Sequence, residues 1–386
     1  MHLDYTPEQQ ALRKELRAYF VELLTDEVRD ELGAPGEGGP AYREIVARMG
    51  KDGWLGIGWP KEFGGQGRSA TDQFIFFDEV QRAGAPFPFV TLNTVGPTIM
   101  RFGSDEQKAF FLPGILSGEI HFAIGYTEPE AGTDLASLRT RAVRDGDEYV
   151  VNGNKVFTSG ANAADYIWLA CRTDAEAPKH KGISILAVPT NLPGFSWSPI
   201  VTVGSVVTTA TYYADLRVPV ANRIGPENEG WRMITTQLNH ERVGLAAMGG
   251  LAHELWAEVD QWARDNNRID LPWVQADLAR SFARMEAMKL LNWRMASTLD
   301  SGTLGAADSS AVKVYGTECL IEVYRLLLGI LGPSGYLRQG SPGAALQGRL
   351  ERAARAAQIN TFGGGVNDVQ REIVAAAGLG MTRQAR

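Results

Sequence analysis

Apolar residues in the first third of the chain recur at helical spacing. Leu12, Leu16, Tyr19 and Leu23 form one such stripe. A start signal precedes it: Thr6 is an N-cap candidate, Pro7 suits the first helical position, and Gln9 completes a T-x-x-Q capping box. Tyr42, Ile45, Val46 and Met49 predict another helix, after a glycine- and proline-rich loop from Gly33 to Pro40. Thr71 and Ser104 read as caps of two more, the second with a capping-box Gln107. Residues 1–120 therefore read as an N-terminal helical domain.

The period then changes. Tyr149-Val150-Val151 leads into Asn152-Gly153, a strong hairpin-turn signal, and Asp145-Gly146 predicts the turn before it. Ile167 to Ala170, Ile183 to Val188 and Ala210 to Tyr213 are further strand candidates, punctuated by Pro189, Pro193, Pro199 and Pro219. Residues 121–225 read as a middle antiparallel β domain. Helical patterns return over 230–260, 272–299, 306–331 and 343–360, with a short fifth from about 366, so 226–386 reads as a C-terminal four-helix bundle. The predicted class is a multidomain α+β chain.

At 386 residues the chain is too long for one ordinary core. A net charge of −7 without blocks of like charge argues against nucleic-acid binding. Neither a signal peptide nor an apolar run of about 20 residues is present, so no membrane span is expected and the location expected is the cytoplasm. Cys171 and Cys319 are far apart and read as buried thiols in a reducing compartment.

Several chemistries are excluded. The chain has no G-x-G-x-x-G opening a helix after a strand, no G-x-S-x-G and no paired C-x-x-C. His240-Glu241 has no second histidine four residues on, and no metal site is expected. One stretch stands out: Tyr126-Thr127-Glu128-Pro129-Glu130-Ala131-Gly132-Thr133-Asp134 places hydroxyls, carboxylates, a stiffening proline and a permissive glycine in nine residues. It reads as a surface loop or as a rigid platform presenting hydroxyls and backbone N–H groups to a planar polar ligand.

The stretch resembles the T-E-P-x-A-G-[ST]-D signature of the acyl-CoA dehydrogenases. Lys155-Val156-Phe157-Thr158-Ser159-Gly160 is similar to the family's K-x-W-[IT]-[TS] segment. Asp52-Gly53-Trp54-Leu55-Gly56-Ile57, with Trp59-Pro60 and Phe63-Gly64-Gly65, is similar to its D-G-W-x-G pattern. The three motifs fall in the family's order and spacing. The resemblance implies an FAD enzyme that oxidises an acyl-CoA thioester to enoyl-CoA. It implies that Tyr126, Thr127, Gly132 and Thr133 line the flavin, that Phe157 stands against the ring in place of the usual Trp, and that Thr158 and Ser159 reach its polar edge.

Such chemistry needs a carboxylate base. The family's usual Glu lies in a C-terminal Y-E-G-T. Here, counted back from Val369-Gln370-Arg371, that place is held by Gly364 within Phe362-Gly363-Gly364-Gly365-Val366-Asn367. A minority of the family carries the base in L-x-x-E-R, matched by Leu238-Asn239-His240-Glu241-Arg242. Glu241 also falls on the apolar stripe of Ile234, Leu238, Leu245 and Met248, where burial would raise its pKa toward neutrality or an ion pair would hold it. Glu241 is the base expected, with Arg242 and Asn239 facing the pantetheine or CoA phosphates.

The family's R-x-x-F-G, whose Arg reaches a neighbouring subunit's FAD, is replaced by Arg264-Asp265-Asn266-Asn267-Arg268. Its Q-x-x-G-G-x-G survives only as Leu331-Gly332-Pro333-Ser334-Gly335-Tyr336. This pattern resembles the base-bearing subunit of actinobacterial α2β2 heterotetramers that act on steroid side-chain CoA esters. A second homologous subunit and an acceptor such as an electron-transfer flavoprotein are the partners implied. The alternatives are an acyl-CoA oxidase or flavin monooxygenase of the same fold, and a non-catalytic partner subunit. Trp231, Trp256, Trp262, Trp273 and Trp293 read as core.

Overall fold

The computed structural model describes residues 4–32, 38–237, 249–300 and 305–382. The first helix, α1 (Pro7–Leu23), starts as its sequence dictates. The Thr6 side chain accepts from the Gln9 N–H at 3.3 Å and the Gln9 side chain accepts from the Thr6 N–H at 3.0 Å. After α2 (Asp26–Leu32) and α3 (Pro40–Lys51), the D-G-W segment turns through a left-handed Gly53 and buries Trp54, Leu55, Ile57 and Trp59. That third motif is therefore a packing element. Helix α4 (Ala70–Ala83) is capped by Ser69, whose hydroxyl accepts from the Asp72 N–H at 3.1 Å; Thr71 lies inside the first turn instead of capping it. A π-helical stretch, Thr91–Val95, precedes α5 (Gly96–Phe102), and α6 (Asp105–Leu116) carries the Ser104–Gln107 capping box.

Among the described residues eight strands follow: β1 (Phe122–Gly125), β2 (Arg141–Asp145), β3 (Glu148–Lys155), β4 (Tyr166–Arg172), β5 (Ile183–Pro189), β6 (Phe195–Val201), β7 (Val207–Pro219) and β8 (Arg223–Ile224). The order is β6-β7-β3-β2-β4-β5-β8, with β1 beside β4. The long pairings are antiparallel, and β1 joins β4 in parallel. Asp145-Gly146 does turn the chain, between β2 and β3. Asn152-Gly153 does not; it lies inside β3, where the register against β7 shifts between Val151 and Gly153. The bulge won over the turn because both flanks of the dipeptide pair with β7. Gly153 has φ 148°, and a Cβ there would meet Thr140 Oγ1 at 2.6 Å. Strand β6 was hidden by Pro199, which an edge strand tolerates.

Helical structure resumes over 230–237 (α7) and continues with α8 (Gly249–Asp265), α9 (Pro272–Asp300), α10 (Ala306–Leu331), α11 (Arg349–Ala357) and α12 (Asn367–Ile373). The fourth bundle helix, α11, is only 9 residues long. Left-handed Leu346, Gln347 and Gly348 delay its start. Val259, Met285, Val323 and Leu327 sit in the bundle core. Trp231, Trp262 and Trp293 pack against the cores, whereas Trp273 is 46% exposed and so departs from the expected burial. Arg43 ties α3 to the β domain through Asp165 at 3.0 Å. Gln107 reaches the carbonyls of Ala221 and Arg223 at 2.7 and 2.8 Å. Among the described residues no helix is long and apolar enough to cross a membrane. Cys171 and Cys319 are buried free thiols, and burial pushes the Cys171 thiol up to about 12.

Candidate active site

Strand β1 ends at Gly125 and delivers the Tyr126–Asp134 stretch. Glu128 and Ala131 bond each other reciprocally at 3.1 Å, so Pro129 and Glu130 form the tip of a tight turn. The tip, Gly132 and Thr133 are exposed, while Tyr126 and Thr127 are half-buried.

The second motif begins at the end of β3 and runs alongside the first. The Val156 N–H donates to the Thr127 carbonyl at 2.8 Å. Beneath that bond lies a buried ion pair, Lys155 Nζ to Glu128 Oε1 at 2.8 Å, with Lys155 fully buried and Glu128 8% exposed. Lys155 also donates to the Tyr126 carbonyl at 3.0 Å. Glu128 accepts the main-chain N–H groups of Arg139 and Thr140 at 2.7 and 2.8 Å. Burial alone would raise the Glu128 carboxyl, but the Lys155 ammonium and these N–H groups hold it below the ordinary carboxylate range. Burial pulls the Lys155 ammonium down against the attraction of Glu128.

Phe157 follows, with φ 58° and 60% of its surface exposed. A bulky residue in the left-handed region costs on the order of 1–2 kcal/mol, and an exposed ring recovers little of that by packing. Strain of this kind clusters at ligand sites. Next to it, Thr158 is fully buried: its N–H donates to the Thr209 carbonyl at 2.9 Å and its hydroxyl is 3.5 Å from Thr211 Oγ1. Its side chain therefore faces the sheet interior, contrary to the expectation that it reaches a ligand edge. The flip at Phe157 is the local cause. Ser159 is exposed, its hydroxyl 2.9 Å from Thr208 Oγ1.

On the other side, the Tyr126 hydroxyl accepts from Trp168 Nε1 at 3.1 Å and donates to the Gln237 side-chain oxygen. Gln237 ends the described part of α7 and is 2% exposed; its Nε2 has no partner among the described residues. Of the apolar stripe before Glu241, Ile234 is buried as expected. Glu241, Asn239 and Arg242 lie outside the described residues.

The segment at the Y-E-G-T position leaves α11 through Thr361 and enters α12 at Asn367. Gly364 and Gly365 take φ 64° and 97°. The two arginines of the altered R-x-x-F-G are engaged within the chain. Arg264 pairs with Asp260 at 2.9 Å, and Arg268 donates to the Ile330 carbonyl at 3.1 Å while covering the Trp262 ring.

Glu128, Lys155, Trp168 and Gln237 were not legible as site residues in the sequence. Lys155 and Glu128 each head or centre a motif, but their pairing spans 27 positions. Both stand in polar stretches, Thr127 to Asp134 and Asn152 to Asn154, so nothing local marked either as buried. Among the described residues no cluster of three or more His, Cys, Asp or Glu side chains could hold a metal.

Comparison with known proteins places the whole chain. Models of the acyl-CoA dehydrogenase N-terminal, middle and C-terminal domains match residues 6–119, 123–216 and 228–379. The chain is 56% identical over 401 residues to "Acyl-CoA dehydrogenase FadE26" of Mycobacterium tuberculosis, covering 100% of both. It matches a structure called "Tcur3481-Tcur3483 steroid ACAD" with a TM-score of 0.96 and 62% identity over 100% of both chains. It matches the "ChsE4-ChsE5 complex from Mycobacterium tuberculosis" with a TM-score of 0.94 and 55% identity, again over 100% of each.

Proposed function

Because the chain belongs to the acyl-CoA dehydrogenase family, oxidoreductases acting on CH–CH bonds, we propose that it converts a bulky, steroid-bearing acyl-CoA to its enoyl-CoA with FAD. The observation that carries this reading is the side-by-side locking of the two motif segments, with a strained, exposed Phe157 at their edge. These residues fit a flavin. Phe157 offers an aromatic face, and the exposed Ser159, Gly132 and Thr133 offer hydroxyl and backbone donors nearby. Tyr126 and Thr127 complete the lining, and Thr158 contributes by shaping the turn. When bound, FAD supplies the acceptor for the β-hydrogen as hydride.

Glu241 removes the α-proton. Negative charge then develops on the thioester carbonyl, which hydrogen-bond donors must stabilise. Arg242 and Asn239 bind the pantetheine or CoA phosphates. No carboxylate stands at position 364, so the base comes from α7's continuation in sequence rather than from the C-terminal segment. Glycine at that position also leaves room for a ring system, in keeping with the word steroid in the name of one similar structure.

The chain acts as one half of an α2β2 heterotetramer. Arg264 and Arg268 make contacts within the chain and stand in a segment without the family's Phe-Gly, and a second homologous subunit supplies the cationic contacts to FAD. Both similar structures carry two-component names. Electrons leave to an acceptor such as an electron-transfer flavoprotein, in the cytoplasm. The test is the visible absorption spectrum of the chain purified alone and co-expressed with a homologous subunit. We expect flavin only in the co-expressed form, at about one per two chains. One flavin per lone chain would overturn the shared site.

A further inference from the structure

Lys313, on α10, is 4% exposed, and its ammonium reaches the segment from Thr361 to Asn367. It donates to the Thr361 carbonyl at 3.3 Å, the Gly365 carbonyl at 2.7 Å and Asn367 Oδ1 at 2.6 Å. Thr361 and Asn367 flank the glycine loop Phe362–Val366, and Gly365 lies within it. The far anchor is itself tied back to α10: Asn367 Nδ2 donates to Thr317 Oγ1 at 3.1 Å and to Glu318 at 3.0 Å. A loop with glycines at φ 64° and 97° has a large conformational entropy to lose. A charged donor reaching both ends offsets that loss more strongly than neutral bonds would.

The loop's position relative to the flavin motif follows from neighbouring contacts. Arg355, near the end of α11, donates to the Val203 carbonyl and to Ser205 Oγ at the tip of the β6–β7 hairpin. Just beyond that tip, Thr208 and Thr209 bond Ser159 and Thr158. The helix that leads into the glycine loop thus ends against the β6–β7 hairpin, whose next residues bond the two that follow Phe157. Phe362, at its start, is 60% exposed.

We propose that Lys313 is a positioning residue that holds the glycine loop open as a fixed wall of the acyl cavity, and so sets the preference for bulky acyl groups. This rests on the function proposed above. Without the ammonium the three-glycine segment samples many conformations, some of which fill the space that a ring system needs. A short acyl chain does not depend on that space.

The experiment compares wild type and Lys313→Met in the flavin-loaded assembly, using a steroid-acyl-CoA and butyryl-CoA. Hydrogen–deuterium exchange of residues 362–366 is measured in parallel. We expect faster exchange confined to that loop. We also expect the ratio of kcat/KM for the steroid ester over butyryl-CoA to fall about ten-fold, mainly through KM, the worth of roughly one charge-assisted bond. Lys313→Arg should recover part of the ratio. An unchanged ratio, or unchanged loop exchange, overturns the proposal. A wild-type assembly inert toward both esters overturns the proposed function itself, a different result. If Lys313→Met does not fold, Asn367→Ala removes one acceptor and reads the same loop; normal exchange there also overturns it.

Discussion

Replacing Lys155 by Met isolates the contact that joins the two motif segments. The ammonium is fully buried, 2.8 Å from Glu128 Oε1 and 3.0 Å from the Tyr126 carbonyl. Removing one partner of a buried pair leaves an uncompensated charge and costs about 3–5 kcal/mol. The lower end applies here, because Glu128 keeps its main-chain donors at Arg139 and Thr140. The Tyr126 carbonyl loses its donor as well, adding about 1 kcal/mol. Lys155→Met should therefore destabilise the chain by about 4 kcal/mol. Combined with Glu128→Gln, the loss should fall short of the summed single losses by about 2 kcal/mol, since the stranded charge is gone. Urea unfolding followed by tryptophan fluorescence measures this, with Trp168 in contact with the Tyr126 hydroxyl. Flavin absorbance after gel filtration reports the site, and flavin retention should drop with Lys155→Met. A variant within about 0.5 kcal/mol of wild type, the scale of an ordinary surface substitution, and with full flavin content would refute the argument. The same pair sets an acid limit. Glu128 is held below the ordinary carboxylate range, so its stabilisation is complete above pH of about 4.3 and is lost as pH falls through its lower folded value.

Three other outcomes follow from single residues. Gly153→Ala meets Thr140 at 2.6 Å in a backbone conformation that L side chains rarely adopt, and should cost about 2–3 kcal/mol in urea unfolding. Phe157→Gly relieves the left-handed backbone and should stabilise the flavin-free chain by about 1 kcal/mol, while the dissociation constant for FAD rises. Burial, helped by Arg82, lowers His253 from 6.5 to about 4. Its folded value lies below its unfolded one, so the thermal midpoint should fall as pH drops from 6.5 toward 4, and His253→Gln should flatten that part of the profile.

Local signals in the sequence gave local structure. The Thr6–Gln9 and Ser104–Gln107 boxes need only residues three apart, and both formed. The helical, β, helical order was equally legible, because the period of the apolar positions changes along the chain. Errors arose where distant partners decided. Asn152-Gly153 looks like a turn until β7 pairs across it. Pro199 looks like a break until its strand proves to be an edge. Ser69 displaced Thr71 as cap because two hydroxyl residues stood within one turn, and the extended backbone falls at Ser69. At the candidate site, the two motifs marked segments that the structure lays side by side. Which side chains face outward was set by the backbone flip at Phe157, and no composition rule announces a left-handed phenylalanine. The Lys155–Glu128 pair was likewise invisible until β3 was laid beside the T-E-P turn.

The central claim is tested most directly by mixing the flavin-loaded assembly with a steroid-acyl-CoA under anaerobic conditions and following the flavin absorbance. The wild type should bleach within the first turnover. Glu241→Gln should bind the same flavin and slow bleaching by a factor on the order of 10³ or more, the worth of a positioned general base. Bleaching by Glu241→Gln at the wild-type rate would contradict the assignment of the base and the account built on it.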